Sequence, residues 1–164
     1  MPRGPGRTGR SLQRIAELDD GSALVLPPDE QYLVATGRTY FRELAFDDLH
    51  RLALDLETTG LDARAHRVFL VALRDNRGLA VTLEARGDSD DDEAELLREL
   101  VACVTRVDPD VIENHNLHGF DLPFLAQRAK VLGVTLALGR LAREGLRARP
   151  GPRGKTRYTV AGQV

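Results

Sequence analysis

The seven residues RLALDLE, numbered 51 to 57, alternate between leucine and other side chains. In an extended strand the leucines fall on one face and Asp55 and Glu57 on the other, because successive side chains point to opposite sides. Two carboxylates on one face of an apolar strand repel each other and lose hydration on burial. A divalent cation such as Mg²⁺ or Mn²⁺ would offset both costs. The alternative is an exposed strand end on which the pair is ordinary polar surface.

The sequence around this strand predicts an α/β domain with its elements in the order βββαβα. Ser89 and Asp90 offer N-caps for the first helix, with acidic residues three positions later. Gly133 closes the second helix, which follows a loop at Gly119–Pro123. The predicted elements are strands at Arg51–Glu57, Val68–Arg74 and Leu79–Glu84 with a hairpin turn at Asn76–Gly78, a helix at Asp91–Arg106, a buried strand at Val111–Asn114, a helix ending near Leu132, and a strand at Arg157–Ala161.

Composition predicts one soluble domain behind a short leader. The chain has 164 residues, 42% hydrophobic and 29% charged, and a net charge of -2. Residues 1–31 are expected to form a disordered or loosely structured leader, and residues 32–164 the domain. Cys103 is the only cysteine, so a disulfide framework is excluded and a reducing compartment, the cytoplasm, is favoured. No apolar run approaches the roughly 20 residues of a membrane span.

Asp121 is a third candidate carboxylate, in the stretch VIENHNLHGFDLPFL at residues 111–125. The alternative interpretation is an N-cap, because aspartate before a helix with proline in its first turn is a common helix start. His115 and His118 flank Asn116, and non-catalytic roles are favoured for both. The segment 140–164 carries seven basic residues against one acid, which suits a phosphate-facing surface or simple solvated charge.

Taken together, LDLETTGLD at residues 54–62 and the stretch at 111–125 resemble the first two motifs of the DEDD exonuclease superfamily. The second motif is most similar to that of the proofreading exonuclease domain of family B DNA polymerases. The resemblance covers roughly residues 39–136, with a looser match of the basic hairpin that follows. It implies a ribonuclease H-like fold, truncated before its last strand and helices, which agrees with the order βββαβα.

The resemblance also assigns roles to individual residues. Asp55 would bridge two metal ions, Glu57 would bind one and orient the attacking water, and Asp121 would hold the second. The residues implied to contact nucleic acid are Thr58, Leu61, Asn116 and Phe120, where Leu61 wedges against the terminal bases and Phe120 either stacks on a base or packs in the core.

The family's third motif, a tyrosine followed by an aspartate, has no match, since no Asp or Glu follows Glu144. The chain is therefore expected to be the N-terminal piece of a longer protein, fused to a polymerase or a helicase. Alone, it is expected to bind metal weakly, to cleave little and to be marginally stable.

The leading hypothesis is a two-metal 3′–5′ exonuclease that acts on the 3′ end of single-stranded DNA. Arginines such as Arg140, Arg143 and Arg147 would contact its phosphates. The alternatives are an RNA-directed exonuclease of the same superfamily and a non-catalytic nucleic-acid-binding domain that keeps the fold.

Overall fold

The computed structural model describes residues 26–38, 43–140, 145–151 and 156–159. The chain forms two compact units, Met1–Leu44 and Ala45–Val164. Residues 1–25, most of the predicted leader, lie outside the described residues. Within the described part of the chain, no helix combines the length and the apolar character that a bilayer span requires.

The first unit contains one described helix, α1 (Pro28–Thr36). Pro28 occupies its first turn, where the missing N–H and fixed φ of proline are tolerated, and Gly37 ends it with a φ of 67°. The prolines at 27 and 28 therefore begin a helix, which the sequence analysis did not predict.

The second unit is built on a mixed sheet with the strand order β3-β2-β1-β4. A 3-10 turn at Phe46–Asp48 precedes the sheet. The three consecutive strands are antiparallel neighbours, as predicted, and β4 pairs in parallel with β1. The strands are β1 (Arg51–Thr58), β2 (Val68–Asp75), β3 (Ala80–Glu84) and β4 (Val111–Glu113).

Two helices complete the core on the leucine face of β1. Helix α2 (Asp90–Val107) begins at a capping box in which Ser89 and Asp92 bond each other's backbone amides. Helix α3 (Leu122–Leu132) ends at Gly133, which has a φ of 65°. Each leucine removed from water here contributes roughly 1.5–3 kcal/mol. The core side chains include Leu52, Leu54, Leu56, Val71, Leu97, Leu100, Phe124 and Leu125.

A second, two-stranded sheet follows, made of β5 (Arg147–Pro150) and β6 (Thr156–Thr159). The strand predicted at Arg157–Ala161 thus begins one residue earlier and pairs with a strand that was not predicted. Tyr158 packs against the core cluster. The other predicted element boundaries are met within about two residues, and β4 is half-buried rather than fully buried.

Candidate active site

Asp55 and Glu57 lie on the face of β1 opposite the core. Their side chains are exposed, whereas the alternating leucines are buried. Asp55 lies opposite Ala72 of β2, and Glu57 lies opposite Leu70. Because β1 has a neighbour on each side, its backbone is fixed while its carboxylates face solvent. The exposure agrees with the polar-surface alternative, so the decisive question is what lies near these two acids.

Asp121 is buried, with 2% of its surface exposed. It is the last residue of a π-helical turn, Leu117–Asp121, that leads directly into α3. Its backbone is already helical, with φ -61° and ψ -54°, and its side chain makes no capping hydrogen bond. The N-cap interpretation is therefore wrong, because a cap needs non-helical backbone and an acceptor aimed at the first turn. Short π-helical turns are rare and occur frequently at functional sites.

Asn114 lies close to both Asp55 and Asp121. Its side-chain Nδ2 donates to Oδ1 of Asp55 over 3.2 Å, and its amide opposes the rise in the pKa of the Asp121 carboxyl. The parallel pairing explains this position. Ala53 of β1 lies opposite Glu113 of β4, and both chains run in the same direction. Asn114, which follows Glu113, therefore lies at the same edge of the sheet as Asp55. Two acids that are distant in sequence are thereby brought beside one neutral amide.

The electrostatics of this group leave its negative charge without compensation. Burial raises the pKa of the Asp121 carboxyl above its ordinary range, and the nearby charge of Asp55 acts in the same direction. Hydrogen bonds from the backbone amide of Asp121 and from Asn114 oppose the rise in pKa. In the described part of the chain, no arginine or lysine pairs with Asp55, Glu57 or Asp121.

The donor chemistry of these three acids fits a hard divalent cation, since carboxylate oxygens are the ligands that Mg²⁺ and Mn²⁺ prefer. Their arrangement is less complete. Among the described residues, no three His, Cys, Asp or Glu side chains are grouped so that they could hold one ion. Asp55 and Asp121 are brought together, and Glu57 shares the strand face of Asp55 but does not complete a three-ligand group. The metal site therefore stays a prediction.

Thr58 is the last residue of β1, and Leu61 lies near the start of the loop that follows. The Thr58 hydroxyl donates to the carbonyl of Gly60 over 2.9 Å, so this side chain shapes the loop. Leu61 is 84% exposed, although it is a large apolar residue. A single exposed apolar side chain is common at a protein surface, so the role predicted for Leu61 stays a prediction.

Asn116 and Phe120 belong to the turn that carries Asp121. The backbone carbonyl of Asn116 accepts from the amides of Gly119 and Phe120. A side chain at position 119 would place its Cβ 2.2 Å from Oδ1 of Asn116, so the glycine leaves room for that amide. Phe120 is half-buried, and its ring centre lies 5.3 Å from that of Phe124. These contacts favour the core-packing interpretation of Phe120.

In the part of the chain that the structure describes, none of the remaining polar candidates hydrogen-bonds the side chain of Asp55, Glu57 or Asp121. His115 is exposed, and His118 lines a separate, largely apolar cleft with residues such as Leu117 and Tyr158. Arg140 donates to Asp108 over 2.7 Å and to Asp110 over 3.0 Å, so it is engaged in the protein rather than free for phosphate. Arg143 lies outside the described residues.

Asn114 is the residue beside Asp55 that the sequence analysis missed. Motif similarity drew attention to Asn116, two residues later. The available signal was positional: a polar residue directly after a strand that runs parallel to the strand of Asp55 lies near the carboxyl end of that strand.

Comparisons with known proteins show which family this chain resembles. Residues 79–157 match the profile described as "DNA polymerase family B, exonuclease domain". DNA polymerase 2 of Aeropyrum pernix is 34% identical over 130 residues, which is 77% of this chain and 15% of that protein. A DNA polymerase of Thermococcus aggregans is 50% identical over 48 residues, 29% of this chain and 3% of that protein.

A solved structure is similar to this chain as well. The family B DNA polymerase of Pyrobaculum calidifontis matches with a TM-score of 0.59 and 32% identity, covering 71% of this chain and 15% of that one. The chain thus spans only about 15% of the length of such relatives. The profile, the relatives and the ribonuclease H-like architecture together show that this chain belongs to the family of exonuclease domains found in family B DNA polymerases.

Proposed function

We propose that this chain forms the nuclease core of a metal-dependent 3′–5′ exonuclease that shortens single-stranded DNA. The observation that carries the proposal is the grouping of Asp55 and Asp121 beside the amide of Asn114. The carboxylates of two separate motifs meet there at one end of the central strand, and no described cation offsets their charge.

Asp55, Glu57 and Asp121 would hold the divalent cations, Mg²⁺ or Mn²⁺, in a two-metal site. When bound, such ions supply positive charge that stabilises both the attacking and the leaving oxygen of phosphodiester hydrolysis. Asn114 would help to position Asp55 without adding charge. The exposed Leu61 would contact the terminal bases, and Asn116 would contact the single strand.

The expected partner is a DNA polymerase domain, since the relatives named above are DNA polymerases. None of those relatives is named as a helicase, the other partner that the sequence analysis considered. The cytoplasmic location and the boundary at residue 31 stay predictions.

A degradation assay on the intact gene product tests the proposal. A single DNA strand labelled at its 5′ end should shorten progressively from its 3′ end with Mg²⁺ or Mn²⁺ and remain intact with a chelator. Asp55→Asn and Asp121→Asn should each lower the rate at least about 100-fold, because several kcal/mol of charge stabilisation depend on these ligands.

Asp91→Asn is the matched control, because Asp91 is an exposed acid on α2. Its rate should equal that of the wild type. Rates within twofold of the wild type for both site variants would exclude the proposed site. An RNA strand of the same sequence, degraded faster than the DNA strand, would assign the activity to RNA.

A catalytically inactive nucleic-acid-binding domain is the second candidate. It is favoured by the lack of a three-ligand metal group among the described residues. Calorimetric titration with Mn²⁺ separates the two candidates, because an inactive domain needs no metal. Binding of Mn²⁺ that is lost in Asp55→Asn supports the exonuclease, and strand binding without metal binding supports the alternative.

A further inference from the structure

A buried ion pair joins the two helices of the second unit and uses none of the predicted metal ligands. Glu93, in the first turn of α2, is 0% exposed, and Arg128 of α3 is 5% exposed. Arg128 donates from Nε to Oε1 of Glu93 over 2.9 Å and from Nη2 to Oε2 over 2.5 Å. This two-pronged geometry is the most directional that an arginine and a carboxylate can form.

Nη2 of Arg128 also donates to Oδ1 of Asp90 over 3.5 Å, and two further hydrogen bonds of the pair go to the chain that follows β1. We call residues Thr59–Arg67 the site loop. Nη1 of Arg128 donates to the carbonyl of Ala63, in the middle of the site loop, over 3.3 Å. Oε1 of Glu93 accepts from the amide of Val68, the first residue after it, over 2.9 Å. The pair therefore bonds the backbone of the loop and the backbone of its exit.

The exit of the site loop is itself coupled to the candidate active site. Val68 lies opposite Thr58, and the pairing of β1 with β2 shifts register between Glu57 and Thr58. At that irregularity the sheet alone does not fix the strand end, because a bulge disrupts the regular ladder. The hydrogen bond from Val68 to Glu93 therefore fixes the backbone of β2 opposite Thr58, the residue that follows Glu57.

The site loop is closed at its base and presents one apolar side chain. The amide of Thr59 donates to the carbonyl of Arg67 over 3.0 Å, and the amide of His66 donates to the carbonyl of Asp62 over 2.8 Å. Leu61 lies in this loop and is 84% exposed. A loop that is closed at its base and pinned in its middle holds an exposed leucine in a defined place.

We propose that Glu93 and Arg128 are positioning residues that fix the site loop, so that Leu61 meets the 3′ end beside Asp55 and Glu57. This inference rests on the proposed exonuclease function. Displacement of a substrate by a fraction of an ångström lowers the rate of a reaction that depends on alignment. Neither Glu93 nor Arg128 touches the substrate; both act through the loop.

An apolar pair separates positioning from stability. Hydrophobic residues of similar volume often replace a buried ion pair without loss of stability, but they cannot bond the carbonyl of Ala63 or the amide of Val68. The test variant is Glu93→Met with Arg128→Met. Its matched control is Glu95→Met with Arg98→Met, which removes an exposed ion pair within α2.

Hydrogen exchange of the site-loop amides is the first measurement, and it does not depend on activity. The test variant should keep the unfolding midpoint of the wild type, while amides at Thr59, His66 and Val68 exchange about tenfold faster as the loop opens locally. The control variant should exchange as the wild type does. Unchanged loop exchange in a folded test variant would overturn the proposal.

A double-mutant cycle with Leu61→Ala is the second measurement. Leu61→Ala should lower kcat about tenfold in the wild type, with KM nearly unchanged, but less than about twofold in the test variant, because residues that act through one element are not additive. An equal loss in both backgrounds would mean that the pair is only structural.

Two further outcomes are decisive. If the test variant fails to fold, Arg128→Lys replaces it, since lysine keeps the charge but lacks the planar guanidinium that bonds Glu93 twice and also reaches Ala63. Loop exchange at the wild-type rate in that variant would overturn the proposal. If the wild type degrades no strand, the proposed function fails, whereas the exchange measurement still decides whether the pair holds the loop.

Discussion

Two carboxylates of the second unit are almost equally inaccessible, and their surroundings are opposite. Glu93 is 0% exposed and Asp121 is 2% exposed. Glu93 receives two hydrogen bonds from a guanidinium. Asp121 receives hydrogen bonds from neutral groups and faces the charge of Asp55. Burial by itself therefore does not distinguish a structural acid from a functional one, whereas the presence of a compensating cation does.

The difference has an energetic meaning. A buried ion pair loses hydration and regains part of that free energy as mutual attraction. Asp121 loses hydration without such a return, so its ionised form is disfavoured, as the rise in its pKa reflects. A cationic ligand that binds beside Asp121 would be attracted by this carboxylate, because no cationic side chain among the described residues pairs with it. The following changes test whether this distinction between Glu93 and Asp121 holds.

Removal of the cation beside Glu93 should have the largest effect on stability. Arg128→Ala leaves a buried carboxylate unpaired, so the free energy of unfolding should fall by about 3–5 kcal/mol in urea denaturation. Arg98→Ala removes an exposed partner instead and should cost no more than about 1 kcal/mol. A loss below about 1 kcal/mol for Arg128→Ala would mean that buried Glu93 needs no cationic partner. The distinction between Glu93 and Asp121 would then fail.

Neutralisation of Asp121 should act in the opposite direction. Asp121→Asn removes an uncompensated buried charge and keeps the shape of the side chain, so the free energy of unfolding in metal-free buffer should rise by about 1 kcal/mol. The same variant should be inactive. A clear loss of stability would instead show that the ionised carboxylate is favoured in the fold and that Asp121 resembles Glu93.

Asp75 sharpens the comparison because its partner is the imidazole of His50 rather than a guanidinium. It accepts a hydrogen bond from His50 over 2.7 Å, and that bond and the amides of Leu79 and Arg77 lower the pKa of Asp75 to about 2. Folding thus favours the ionised form of Asp75. In the unfolded chain the pKa of an aspartate is about 3.9. Its contribution to stability is complete above that value and disappears as the pH falls toward about 2.

The pH dependence of thermal unfolding measures this contribution of Asp75. The unfolding temperature of the wild type should fall between about pH 4 and pH 2, and Asp75→Asn should flatten the curve within that window. The effect should be smaller than those of the two buried acids. Identical curves would show that the bond to His50 does not favour the ionised carboxylate.

The fold was largely predictable because its signals are local. The alternation of leucines predicts β1, and the capping pattern at Ser89 and the glycine at 133 predict the ends of the helices. The helix that begins at Pro28 was not predicted, because proline can end one helix or begin another. Strand β5 was missed because its four residues carry no apolar alternation.

The candidate site was only partly predictable because its assembly is not local. The carboxylates follow from their motifs, but their grouping beside Asn114 depends on which strand pairs in parallel with β1. Asp121 fits the sequence pattern of a helix cap, and only the π-helical turn before it shows that its side chain is turned elsewhere. The Glu93–Arg128 pair spans 35 positions, which no short motif records.

The room that Gly119 leaves for Asn116 has a consequence for inheritance. Any substitution at 119 would force the amide of Asn116 to turn aside from its present position, although Gly119 has no side chain with which to touch a substrate. If Asn116 matters for copying fidelity, selection on it extends to this neighbour. A mutation there would then raise the error rate of an organism while every acid of the site stayed intact.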